Sequence, residues 1–265
     1  MRTITLLAVL CGATAAQNLP AAVASDDALY SVLWAQTAVE HDAAYQQAYH
    51  MASLMLDRAL KNKSWTAAVE QRSGYERLPP AIILDIDETI LDNSPAEAEH
   101  IKRGVPFSAS LWSEWVSEES AAPLPGAVAF TRYAAERHVE VIYVTNRDAP
   151  AKEATRRVLG RAGFPLHEGV ETIYCRGDKP EWRTDKSSRR AVIAQRYRIL
   201  LLIGDDLGDF MPGARASLEE RRRLAATYAS WWGERWIILP NAMYGSWEEA
   251  LPVKRDYLRG LEKTR

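Results

Sequence analysis

The stretch Ala81–Pro95, AIILDIDETILDNSP, decides how the rest of the chain is read. Four apolar residues, Ala81-Ile82-Ile83-Leu84, run straight into Asp85 and Asp87, with Thr89 two further on. A short apolar run bounded by polar residues predicts a buried strand. Concentrating carboxylates at its end costs electrostatic free energy, so the pair marks either a helix start or a working site. On an extended segment, side chains two apart point the same way. Asp85 and Asp87 therefore face one region of space and repel each other.

Outward from this stretch the pattern repeats. Val139–Val144, Ile199–Ile203 and Trp236–Leu239 predict further strands, and Asp148 with Pro150 opens a helix that ends near Gly163. Strands alternating with helices imply βαβ units, an α/β fold with a parallel sheet flanked by helices. In such a sheet, ligands bind beyond the carboxyl ends of the strands. Those ends read Asp85-Ile86-Asp87-Glu88-Thr89, Thr145-Asn146-Arg147 and Gly204-Asp205-Asp206-Leu207-Gly208-Asp209. Three strands thus deliver acids, a hydroxyl and a cation to one edge.

The donor types point to a hard divalent cation held by oxygens, for which Mg²⁺ is suited. Asp205 would complete the carboxylate set begun by Asp85 and Asp87. With a phosphate ester in place, one carboxylate can attack phosphorus and a second can shuttle the proton. Thr145 and a lysine would neutralise the equatorial oxygens. Lys179 and Lys186 both precede the third strand, and Lys186 is preferred because DKSSRR opens the helix leading into it. Asn146 and Arg147 are candidate phosphate contacts, although a turn asparagine and a salt-bridged arginine explain them equally well. Tyr244, after the last strand, is a candidate for stacking on a nucleobase. Trp112, Trp115 and Trp247 read rather as packing residues, and Asp92 and Asn93 as a turn or hinge.

Together DIDETILDNSP, VTNR, DKSSRR, GDDLGDF and LPNAMYGSWE resemble the haloacid dehalogenase (HAD) superfamily, and within it the class C acid phosphatases of the lipoprotein e(P4) type, which are 5′-nucleotidases. The resemblance runs in motif order from roughly Tyr30 to the C-terminus. It implies a Rossmann-like HAD fold and Mg²⁺-dependent hydrolysis of phosphate monoesters through an aspartyl-phosphate. It further implies Asp85 as nucleophile, Asp87 as general acid/base, Thr145 as phosphoryl ligand and Lys186 as neutralising cation. Mg²⁺ would be held by Asp85, Asp205 and the backbone carbonyl of Asp87, and Asp209 would support the site through Lys186. The chain departs from the family at Ala96, where an aromatic often follows DNSP, and around Cys11, where Ala8 and Leu10 make a poor lipidation signal.

The remainder of the chain frames this reading. The 265 residues are 47% hydrophobic and 26% charged, an ordinary globular composition. A net charge of −2 gives no broad basic field for a nucleic-acid polymer or an anionic membrane. The five histidines show no zinc-binding spacing. Residues 1–24 read as a signal peptide, with an apolar run from Ile4 to Ala16 and the cleavage pattern Ala22-Val23-Ala24. A periplasmic or secreted location follows, with an outer-membrane lipoprotein anchored through Cys11 as the alternative. No later segment approaches ~18 apolar residues without a charge, so no transmembrane segment is expected. After cleavage Cys175 is the remaining thiol, and packing alone must hold the fold.

Residues 25–78 read as a helical segment, with Ser25-Asp26-Asp27 as its cap and one apolar stripe at Ala52, Met55, Leu56, Ala59 and Leu60. Residues 79–265 read as the phosphatase core, with a small cap inserted over about 95–123. The runs Glu219–Arg223 and Arg189-Arg190 read as solvated helix faces. The competing functions are a phosphoacceptor receiver module, a catalytically weak binding or storage protein on the same fold, and a phosphatase for non-nucleotide esters. The order of the acids and the presence of Asp85 argue against the first two.

Overall fold

The computed structural model describes residues 28–251 and 254–258. The expected signal peptide, Cys11 and the Ser25–Asp27 cap lie outside the described residues.

The chain enters through α1 (Leu29–Thr37) and α2 (Val39–Lys61), which are separated by the extended backbone of Ala38 where one continuous helix was expected. On α2 the buried residues His41, Tyr45, Tyr49, Ala52, Leu56 and Ala59 recur at helical spacing and form one face. Glu40 and Asp42 in its first turn, and Arg58 and Lys61 in its last, complement the helix dipole. Next come β1 (Pro80–Leu84), the two-residue β2 (Leu91–Asp92), α3 (Ser94–Arg103), α4 (Ala109–Glu118) and the equally short β3 (Ala122–Pro123). β2 and β3 pair antiparallel, Leu91 opposite Pro123, so the two intervening helices are an insertion closed at its base. The chain continues through α5 (Ala127–Glu136), β4 (Glu140–Asp148), α6 (Lys152–Ala162), β5 (Ile173–Arg176), α7 (Ser187–Ala194), β6 (Arg198–Gly204), α8 (Leu218–Thr227), β7 (Trp236–Ile238) and α9 (Ser246–Glu249).

The five strands β5-β4-β1-β6-β7 form a parallel sheet, in register at Ile83–Ile142 and Ile83–Leu202 across its centre. β5 is a strand that sequence patterning does not reveal. It has four residues, and Ile173, Tyr174 and Cys175 are all buried, so no alternation marks it. Burial pushes the Cys175 thiol up to about 12. In β1, Ile82 and Leu84 pack on one side with Tyr45, Leu56 and Phe130, while Ala81 and Ile83 pack on the other with Ile193, Phe210 and Trp236. This two-residue period is what a strand covered on both faces produces. β1 is central, with β4 on one side and β6 on the other, so its carboxyl end opens into the crevice between two crossover connections.

α2 belongs to this core rather than lying beside it, because Leu56 is fully buried against the sheet. Leu56→Ala should therefore cost about 2–5 kcal/mol in urea unfolding of the full chain. A loss below about 1 kcal/mol would show that α2 is dispensable to the fold.

Candidate active site

At the end of β1 the backbone N–H of Asp85 donates to Ile203 O at 3.0 Å, which seats this residue against the neighbouring strand. Its buried carboxylate accepts from Lys186 Nζ, and the same ammonium donates to Asp209 Oδ1 at 2.6 Å. Asp205 lies alongside, accepting from Thr89 Oγ1 at 3.2 Å and from Asn241 Nδ2 at 2.8 Å. Carboxylate oxygens of Asp85, Asp205 and Asp209 all fall within 4.8 Å of one another. Burial drives the Asp85 carboxyl up to about 7, against the pull of Lys186, and Asp209 and Asp87 push the same way. Burial, then Asp209 and Asp85, raise Asp205 well above the carboxylate range. Burial alone would lower Lys186, but Asp209 and Asp85 outweigh it and hold the ammonium above its usual range.

Among the described residues, Lys186 is the cation that bonds directly into this trio, so negative charge is left over. A cluster of hard oxygen donors with surplus negative charge fits a divalent cation.

Asp87 occupies a different environment. Its Oδ1 accepts from Arg147 Nε at 2.9 Å, Arg147 Nη2 at 2.8 Å and Asn93 Nδ2 at 3.0 Å. Among the described residues its Oδ2 has only the longer contacts to Thr145 Oγ1 and Arg147 Nε, both at 3.3 Å. Arg147 is buried and also donates to Thr155 Oγ1 at 3.2 Å, so its guanidinium is committed to holding Asp87. The hydroxyl of Thr145 bridges the Arg147 backbone N–H and Asp87. Asn146 and Tyr244 line a cleft of about 820 Å³ whose floor includes Asp85, Asp87, Lys186 and Asp205. Asn146 Oδ1 accepts from Arg189, whereas the buried hydroxyl of Tyr244 has no hydrogen-bond partner among the described residues. Lys179 is exposed and lies against Trp182, away from the acids.

The pair Arg189-Arg190 is not the solvated helix face its charge suggests, for both side chains are fully buried on α7. Arg189 donates to Thr145 O and to Arg183 O at 2.9 Å. Arg190 pairs with Glu70 at 3.0 Å and donates to Gly208 O at 2.8 Å. Arg189 thus fastens the start of α7, where Lys186 is the N-cap residue, to β4, and Arg190 fastens it to the loop after β6. Carbonyl, amide and carboxylate partners replace water at their other nitrogens, whereas Arg189 Nε and Arg190 Nη2 are buried with no partner among the described residues, and burial pulls Arg189 down to about 10.

Glu88 also escaped the sequence reading. It adopts a left-handed φ of 53°, and its buried carboxyl accepts from Asn93 N at 2.7 Å. Tyr45 and Tyr49 of α2 donate to the carbonyls of Glu88 and Thr89, so the N-terminal helix grips the loop that carries the acids. Asn241, within LPNAMYGSWE, carries no signal of its role apart from its place after the last strand.

Gly204, which opens GDDLGD, is required by close approach. A Cβ there would fall 2.2 Å from Asp209 Oδ2, and Asp209 holds Lys186. Gly204→Ala should destabilise the protein by about 1–3 kcal/mol in thermal or urea unfolding and disable the site. An unchanged stability with full activity would show that Asp209 is free to move.

The sequence profile of the HAD superfamily, subfamily IIIB (acid phosphatase), matches residues 11–247. The class C acid phosphatase from Bacillus anthracis is similar in structure, with a TM-score of 0.79 and 32% identity over 90% of this chain and 99% of that one. The same protein with tungstate bound gives a TM-score of 0.78, again at 32% identity, over 89% of this chain and 98% of that one. Two stem glycoproteins of Glycine max, of 28 and 31 kDa, are 26% identical over 137 residues, or 50% of this chain. That stretch is 53% and 46% of those proteins, so the chain spans about half the length of these relatives. A parallel sheet with acids, threonine and lysine gathered at its carboxyl edge, the profile match and the structural likeness agree: the chain belongs to the acid phosphatases of HAD subfamily IIIB.

Proposed function

We propose that this protein is a Mg²⁺-dependent phosphomonoesterase that hydrolyses nucleoside 5′-monophosphates through a phosphorylated Asp85. The observation that carries the reading is the trio Asp85, Asp205 and Asp209, with Lys186 shared between the buried Asp85 and Asp209, and Asp87 held separately by Arg147. One neighbourhood thereby offers two carboxylates in distinct electrostatic settings, the arrangement by which an active site assigns different roles to like groups. The tungstate seen in the similar Bacillus anthracis structure is a tetrahedral oxyanion, like phosphate.

In this reading a carboxylate oxygen of Asp85 attacks phosphorus and the ester P–O bond breaks. Asp87 gives a proton to the departing oxygen, and Oδ2 is the atom that does so, because Oδ1 is saturated by three N–H contacts. Asp87 then takes a proton from the water that attacks phosphorus, the acyl-phosphate bond breaks, and inorganic phosphate leaves Asp85 regenerated. Lys186 and Thr145 stabilise the phosphoryl oxygens, and Asp209 keeps Lys186 in place. Asp85, Asp205 and the backbone carbonyl of Asp87 would hold Mg²⁺, which would supply charge neutralisation at the acids and the phosphoryl group. Asn146 lines the approach to that group, and Arg147 acts mainly by orienting Asp87. Tyr244 and Trp112 on the cleft wall offer aromatic faces to a nucleobase.

The chain acts outside the cytoplasm in this reading, its first 24 residues forming a cleaved signal peptide. Among the described residues no helix is long and apolar enough to cross a membrane.

Purified protein should hydrolyse p-nitrophenyl phosphate and 5′-AMP when MgCl₂ is present, lose activity in EDTA and regain it on Mg²⁺ addition. Asp85→Asn should lower turnover by about a thousandfold or more. Undiminished turnover by that variant, or full activity in EDTA, would contradict the mechanism. In a panel of monoesters, nucleoside 5′-monophosphates should give higher kcat/KM than sugar phosphates. Equal values would remove the nucleotide assignment and leave the phosphatase.

A further inference from the structure

The insertion touches the residues around Asp87 through two tryptophans: the Trp112 ring lies 5.9 Å from the Arg147 guanidinium, and Trp115 makes a hydrogen bond. Trp115 on α4 donates its indole N–H to Asn93 Oδ1 at 2.8 Å. Asn93 is fully buried and donates from Nδ2 to Asp87 Oδ1 at 3.0 Å. Its backbone N–H is tied to Glu88 Oε1 at 2.7 Å, so the asparagine cannot drift. Trp112, three residues earlier, lines the cleft, but Trp115 does not, so Trp115 has no direct route to a bound ester.

The chemistry of the amide makes this contact directional. A primary amide has a donor end and an acceptor end of nearly equal shape, and its orientation is set by its partners. An indole N–H can only donate. It therefore secures the oxygen end of Asn93 on α4, while Asp87 and, at longer range, Glu88 and Leu91 accept from its NH₂. The other donor to Asn93 Oδ1 is Arg147 Nη2 at 3.5 Å, which is long and already engaged with Asp87. Without the indole donor, Asn93 Oδ1 keeps only that long contact, and the amide, whose NH₂ is drawn also toward Glu88 Oε2 at 3.4 Å and Leu91 O at 3.5 Å, can turn away from Asp87. The carboxylate then loses one of three donors at Oδ1, and Arg147 and Thr145 alone are left to aim Oδ2.

We propose that Trp115 is a positioning residue for proton transfer, orienting Asp87 through the amide of Asn93. This rests on the assignment of Asp87 as general acid/base made above. The cap insertion is thereby part of the acid/base apparatus as well as a wall of the cleft.

The test compares kcat/KM for two esters that differ in their need for a proton. p-Nitrophenyl phosphate releases a leaving group stable as its anion, whereas 5′-AMP must release an alkoxide. kcat/KM covers steps up to ester cleavage, so later attack by water does not mask the difference. For Trp115→Phe, kcat/KM for 5′-AMP should fall about five- to tenfold, the scale of one buried hydrogen bond, and for p-nitrophenyl phosphate less than about twofold. Replacing Trp115 by 3-benzothienylalanine, which keeps the ring shape and lacks the N–H, should give the same asymmetry even if the phenylalanine variant folds poorly. Equal losses on both esters, or no loss, would overturn the proposal. Asp87→Asn separates the two levels. If it shows the asymmetry and the Trp115 variants do not, the relay alone fails. If it penalises both esters equally, the acid/base assignment itself fails.

Discussion

The interaction on which this structure turns is the ammonium of Lys186 shared between the buried carboxylates of Asp85 and Asp209, with Asp205 close by. Removing one partner from such a group leaves an uncompensated buried charge, which is strongly destabilising. Much of the surrounding architecture serves to keep the group assembled. Gly204 has no side chain because Asp209 occupies the space a Cβ would take. Asp209 is fixed in turn by the N–H of Asp206 at 3.0 Å. Arg189 and Arg190 tie α7 to the ends of β4 and to the loop after β6, so Lys186 is delivered from a helix anchored at two places.

Against this cluster stands Asp87, two residues on, which repels Asp85 but has its own hydrogen-bond partners. Its partners are Arg147, Asn93 and Thr145, drawn from β4 and from the loop leading into the insertion. The left-handed turn at Glu88 permits the separation by redirecting the chain immediately after Asp87. A non-glycine residue in that conformation persists only when its surroundings over-determine it. Here Asn93 N–H, Tyr45 and Tyr49 do so. The helix that precedes the sheet in sequence is therefore also what braces the acid-bearing loop.

The site was more legible in the sequence than its supports. Asp85, Asp87, Thr145, Lys186 and Asp205 could be found because they follow directly on apolar strands or open a helix, and because each residue type suits phosphoryl transfer, whereas the role of Asp209 came from the family resemblance. Arg189 and Arg190 were misread because a doubly charged pair on a helix normally faces water. Their partners, Thr145 and Glu70, lie 44 and 120 residues away. Asn93 and Trp115 read as turn and packing residues, since a hydrogen bond across the base of an insertion has no local signature. β5 was missed for a related reason: a four-residue strand whose first three residues are all buried shows neither alternation nor helical period. Chemistry clustered at strand ends is visible in one dimension, whereas burial of polar groups depends on partners that only the fold brings near.

The central claim is that Asp85 becomes covalently phosphorylated while Asp87 only transfers protons. Acid-quenching the enzyme during turnover of p-nitrophenyl phosphate and reducing it with borohydride converts a phosphorylated aspartate to homoserine, which peptide mass spectrometry locates. The account predicts homoserine at position 85 and unmodified aspartate at 87. Homoserine at any other position would contradict it, as would its absence while turnover shows a phosphoenzyme burst.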